Sequence, residues 1–361
     1  MSNSQPRLQH FLILAVAMTL STTAVHGQSN TSSFSSNDLG ISVSDGDRSS
    51  AADALRDYKH PNYARTPAGT AARSSAAASR QSISASAAAA AGIAGDDFTQ
   101  NPGDVAYQGG QTVQYAVSHA VYLNPGRECT IAACWGNPER FLDDVGESDF
   151  IHILDEYVGL EGSHRYTLGD RVVLTGALPA TPLSESDLIA MLHAVVARTG
   201  AGGYRNIYHL FLPPGADTCF DAPYNNECYS PDKPATFAFC AYHDSVTYSD
   251  LGHVLFTVEP WQGPTSGCED SPVGAPNSQL IDSTDDTLSH ELFETISDPD
   301  GTAWWNSAYS PLYGYEMADE CLFYGPGNYL SEPTLPIDGH LYRVQSEYSN
   351  DKHACAISPH N

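Results

Sequence analysis

The sequence predicts an α/β or α+β fold: a single mixed-sheet domain with flanking helices, stapled by disulfides, over residues 105–361. Three observations predict it. Short runs rich in β-branched and aromatic residues alternate with longer amphipathic runs, the pattern of a sheet covered by helices. Large apolar residues are spread through residues 105–361, enough chain for one sizeable core. The eight cysteines, from Cys129 to Cys355, all fall in the same stretch.

Residues 1–27 read as a secretory signal, with Arg7 ahead of an apolar run at residues 11–20 and small residues up to Gly27. Residues 28–104 are Ser, Ala, Gly, Asn and Asp with few large apolar side chains. Such a segment buries too little surface to offset its ordering entropy, which predicts a low-complexity linker or pro-segment. Its sequon is Asn30-Thr31-Ser32. Candidate strands follow at residues 113–123, 206–212, 236–242 and 253–258. The clearest helix starts from Ser184, with Asp187 three residues on. It continues through Leu188, Met191, Leu192, Val195 and Val196 to a stop at Gly200.

Charge and cysteines bound the function. A formal net charge of −27 argues against a nucleic-acid partner, which requires clustered Lys and Arg. No second run of about 20 apolar residues follows the signal, so no membrane span is expected. An even number of cysteines behind a secretory signal predicts disulfides and an extracellular location, although eight cysteines allow 105 pairings.

One segment carries chemistry. Read as a helix opening near Ser283 and Asp286 and stopping at Asp298-Pro299, residues 282–298 put Leu288, Leu292, Phe293 and Ile296 on one face. His290 and Glu294, four apart, then project side by side from the other, giving His290-Glu291-Leu292-Phe293-Glu294. This is the metallopeptidase zinc helix with Glu in place of the second His, and Glu291 in the position of the catalytic base. A carboxylate ligand makes bound water less acidic and widens the choice of divalent metal toward manganese, magnesium or calcium, with zinc still favoured. A third ligand is expected from Glu316 or Asp319, near Cys321. Asp300 ranks behind them: it has the spacing of a third ligand, but Ser297 replaces the glycine of that pattern. Asp298-Pro299-Asp300-Gly301 reads more simply as a helix exit and turn. His243 is a further candidate ligand or proton shuttle, with a buried, hydrogen-bonded His between strands as the preferred role. Trp304 and Trp305 are read as packing residues.

Several ordered anchors resemble the EXORDIUM, or phosphate-induced protein 1, family over about residues 105–357. They are Tyr107-Gln108-Gly109-Gly110, Phe239-Cys240-Ala241-Tyr242-His243, the stretch from Leu288 to Pro299, Ala303-Trp304-Trp305, Glu316-Met317-Ala318-Asp319-Glu320-Cys321, and Tyr342 to Asn350 with Cys355. The resemblance implies an extracellular protein, in plants associated with the cell wall, and a matched pair of acidic segments around a metal. It supplies no established reaction. Ala241 and Glu320 depart from the expected pattern without removing a candidate ligand.

Two functions follow as expectations. One is a zinc-dependent peptide hydrolase with Glu291 as general base. The other is a non-catalytic extracellular protein with a structural cation, binding a cell-wall or matrix component. No Gly-x-Ser-x-Gly elbow supports a serine hydrolase, and carboxylates are too numerous to mark a glycosidase pair.

Overall fold

An eight-stranded mixed sheet organises the protein. In chain order its strands are β1 (Ser36–Leu39), β2 (Tyr63–Arg65), β3 (Ala116–Leu123), β4 (Tyr166–Leu168), β5 (Arg171–Leu174), β6 (Asn206–Phe211), β7 (Phe239–Tyr248) and β8 (Gly252–Glu259). Across the sheet the order is β1-β5-β3-β6-β8-β7-β2, with β4 and β5 pairing in tandem with the two halves of β3. Along this order the neighbours from β1 through β8 pair parallel, and β7 pairs antiparallel with both β8 and β2. The computed structural model describes residues 36–39, 43–55, 63–65, 103–307, 313–322 and 333–360. These belong to one compact unit, Ser35–Asn361. The expected signal at residues 1–27, the sequon at Asn30 and the Ala-rich stretch at residues 84–91 lie outside the described residues.

A parallel sheet needs cover on both faces, and its strands here are apolar on both. β3 sends Ala120 and Tyr122 into one core and Val121 and Leu123 into the other. Helices α1 (Asp45–Ala54) and α3 (Glu185–Thr199) lie over the second face, α2 (Pro138–Val145) and α4 (Gln279–Ser297) over the first. The mixed α/β class therefore stands as expected. α3 follows its sequence signals closely: Ser184 and Asp187 form a reciprocal capping box, and Gly200 ends the helix at φ 69°.

The segment read as a linker contributes more than its composition promised. β1 adds to the β5 edge, β2 to the β7 edge, and α1 packs on α3. None of these pieces has a core of its own. Backbone ladders satisfy the strands, and α1 buries only Ala51 while forming its own capping box from Ser44 and Asp47. Polar links fasten it: Arg48 donates to Asp187 at 3.0 Å, and the His193 ring lies between Asp47 and Asp250.

α4 opens one turn earlier than expected, with Ser278 as the cap accepting from Ile281 N. Ser283 is not a cap; its hydroxyl donates to Gln279 O and accepts from Asp270 N. The helix is buried nearly all round although rich in Ser, Thr and acids. Ser283, Thr284, Thr287, Thr295 and Ser297 make this possible by bonding back to the carbonyl four residues earlier.

The cysteines form four disulfides: Cys129–Cys134, Cys219–Cys228, Cys240–Cys268 and Cys321–Cys355. Among the described residues no helix is long and apolar enough to cross a membrane. The disulfides fit an extracellular protein.

Candidate metal centre

The centre forms where α4 crosses the β7 end of the sheet. α4 supplies His290, Glu291 and Glu294; β7 supplies His243; the short 3₁₀ turn Asp319–Cys321 supplies Asp319. Each exposes no more than 2% of its surface. His243 points toward α4 because strand alternation sends its neighbour Tyr242 to the opposite core. The disulfide to Cys355 ties the Asp319 turn to the C-terminal hairpin, and Asp319 N donates to Glu294 Oε1 at 3.0 Å.

Two groups of side chains could each hold a metal ion: His290, Glu294 and Asp319, and His243, Glu291 and Glu294. His290 Nε2 lies 3.2 Å from Glu294 Oε2. His243 Nδ1 lies 3.4 Å from Glu291 Oε2 and 3.6 Å from Glu294 Oε2. Donors about 2.0–2.2 Å from a tetrahedral ion stand about 3.3–3.6 Å apart, so the separations within each group suit a cation shared by its members. His290 Nε2, His243 Nδ1 and Glu294 Oε2 make no hydrogen bond among the described residues.

Outer hydrogen bonds fix which ring nitrogens face inward. Gln345 Nε2 donates to Ala318 O at 2.6 Å, so its Oε1 is the atom that accepts from His290 Nδ1 at 3.0 Å. The neutral imidazole then presents the Nε2 lone pair to the centre, the arrangement by which an outer partner orients a metal-binding His.

Electrostatics also leaves room for a cation. No Lys or Arg pairs with His243, His290, Glu291, Glu294 or Glu316 among the described residues; only the two imidazoles do. Burial disfavours their charged forms, yet Glu316, Glu291 and Glu294 hold His243 well above its usual pKa, and Glu294, Glu291 and Asp319 do the same for His290. Burial likewise works to raise Glu294, but the charges of His290 and His243 outweigh it and hold it well below the carboxylate range. In the metal-free chain, protons thus supply the positive charge that a bound metal would replace. Burial raises Glu291, and it pushes Glu259 up to about 8 with Glu291 adding to the effect.

The remaining candidates fall elsewhere. Glu316 is 3.7 Å from His243 Nε2, on the far side of the ring from the centre, beside Asp298. Burial holds Glu316 well above its usual range. Asp298 Oδ1 accepts from Thr302 N and Ala303 N, as a helix exit and turn requires. Asp300 is bound by Tyr204 and lies 3.1 Å from His253 Nε2, outside both groups. His243 corrects the preferred expectation: it does not bridge strands through side-chain hydrogen bonds but faces the centre. Trp304 packs as expected, its indole donating to Tyr157 O. Gly110 fits because a Cβ there would meet the Thr302 backbone at 2.5 Å.

Two residues escaped sequence reasoning. Gln345 lies in the run quoted from Tyr342 to Asn350, where nothing distinguishes an orienting amide from any other. Glu259 had a weak signal, as an acid closing the apolar run from Val254 to Val258. No family model matches the chain, and no curated protein or solved structure matches it.

Proposed function

We propose that the protein is an extracellular metalloenzyme in which His290, Glu294 and Asp319 hold a divalent ion, with Glu291 as general base for peptide hydrolysis. The observation that carries this reading is the convergence of buried, oriented donor atoms on Glu294 Oε2. Imidazole with carboxylates favours zinc; calcium prefers six to eight oxygen ligands, which suits a site of one imidazole and two carboxylates poorly. A zinc ion there would supply Lewis-acid polarisation and lower the pKa of water. Glu291 Oε1, 4.0 Å from His290 Nε2, accepts a proton from the attacking water and returns it to the leaving amine. The resemblance to the EXORDIUM family supports the extracellular setting and remains part of this proposal.

Burial favours a second reading. Ligands that expose no more than 2% form a closed site, as structural ions do, in a protein that binds a wall or matrix component without turnover. Metal analysis combined with peptide-library cleavage separates the two. The enzyme reading expects His290→Ala and Asp319→Ala to lose bound zinc, and Glu291→Gln to keep the ion at His290 while cleavage stops. Wild-type protein loaded with zinc that cleaves no peptide would leave the structural reading.

A further inference from the structure

His243 has no role in the site just proposed, yet it is 2% exposed and aimed into the centre. Its Nε2 lies 3.2 Å from Asp298 O, a carbonyl that can only accept, so this nitrogen carries the hydrogen in the neutral ring. Nδ1 is then the lone-pair nitrogen, and it has no hydrogen-bond partner among the described residues. It meets Glu291 Oε2 at 3.4 Å and Glu294 Oε2 at 3.6 Å. Three electron-rich atoms facing one another in a water-excluded core repel unless a proton or a cation lies between them.

We propose that the centre takes two divalent ions, the second held by His243 Nδ1, Glu291 Oε2 and Glu294 Oε2. The two imidazoles fall in separate donor groups that share Glu294, so each ring has its own set of three donors. Paired ions about 3.5–4 Å apart are a common hydrolytic arrangement, and a shared carboxylate between them offsets their mutual repulsion. Glu291 can ligate through Oε2 and still accept a proton through Oε1, which lies on the His290 side. Glu316, 3.7 Å from His243 Nε2, and the Asp298 carbonyl orient the imidazole from behind. One imidazole and two carboxylates suit zinc or manganese.

The inference rests on the metal-centre reading, and ion counting distinguishes their failures. Full-length secreted protein is stripped with chelator, re-equilibrated with zinc and analysed for zinc per chain, beside His243→Asn and His290→Asn. Expected are two ions in the wild type and one in each variant. Manganese-loaded wild type should show an exchange-coupled paramagnetic resonance spectrum, replaced in His243→Asn by that of an isolated ion. One ion in the wild type that survives His243→Asn overturns the second ion and leaves the first. One ion lost in both variants also overturns it, because a single ion then uses both imidazoles. No ion in the wild type overturns both proposals. If His243→Asn is not secreted folded, by near-ultraviolet circular dichroism, wild-type stoichiometry and the manganese spectrum decide alone.

Discussion

At the scale of single residues, the centre depends on side chains that touch no metal. Gln345 locks the His290 ring by accepting from Nδ1 while its own amide is held by Ala318 O, next to Asp319. Gln345→Ala should therefore weaken zinc binding by about 10–100-fold in competition with a chromophoric chelator, and Gln345→Glu should largely restore it. His209 offers a pH test away from the ligands. Burial, with His119 nearby, lowers its pKa from 6.5 to about 3, and its Nδ1 lies 3.0 Å from Thr257 Oγ1. Between those values the unfolded chain takes up a proton that the folded chain refuses. Its contribution to stability is thus complete above pH 6.5 and is lost as pH falls toward 3, by up to about 1.4 kcal/mol per pH unit. His209→Gln should flatten the acid limb of a urea-denaturation series; an unchanged slope would assign the acid sensitivity elsewhere.

At the scale of elements, α4 and α3 show two ways of placing a helix in a core. α3 is an apolar helix with strong end signals, and Ser184→Ala should cost about 1 kcal/mol in denaturant unfolding through loss of its cap. α4 buries polar side chains on every side, which hydrophobic patterning alone would reject. Its hydroxyls return to the carbonyl four residues back, while Glu291 and Glu294 meet His243 of the sheet and His290 meets Gln345. Strand register completes the arrangement by setting His243, Thr257 and His209 side by side across β7, β8 and β6. Apolar substitution of Thr257 would leave His209 Nδ1 without its partner.

At the scale of the molecule, disulfides stand in for contacts that a polar core cannot supply. Cys321–Cys355 closes a loop that contains Gln345 and joins it to the Asp319 turn. The double variant Cys321→Ser, Cys355→Ser should lose zinc affinity while retaining the far-ultraviolet spectrum of the main sheet, since β1 to β8 all lie before Cys321. If the two ions sit where proposed, chelation should lower the melting temperature of the wild type, and by less that of His290→Ala, which keeps only the ion at His243. The linkage amounts to about 2.7 kcal/mol when free metal is 100-fold above Kd.

The sequence alone determined what local chemistry specifies. Periodicity and capping marked α3 from Ser184 to Gly200, β-branched runs marked the central strands, and the spacing of His290 and Glu294 put two donors together within one helix. Tertiary structure decided what depends on chain segments far apart. It selected Asp319 over Glu316 as the neighbour of His290 and Glu294, since three residues on a turn differ in direction only once that turn is docked. It brought His243 and Gln345 to the centre through strand register and loop position, neither of which has a local signature. It also drew residues 36–39, 43–55 and 63–65 into the fold, because weakly apolar segments can order by borrowing the ladders and cores of others. Local spacing fixes pairs on one element, whereas the charge balance of a buried site is settled only where several elements meet.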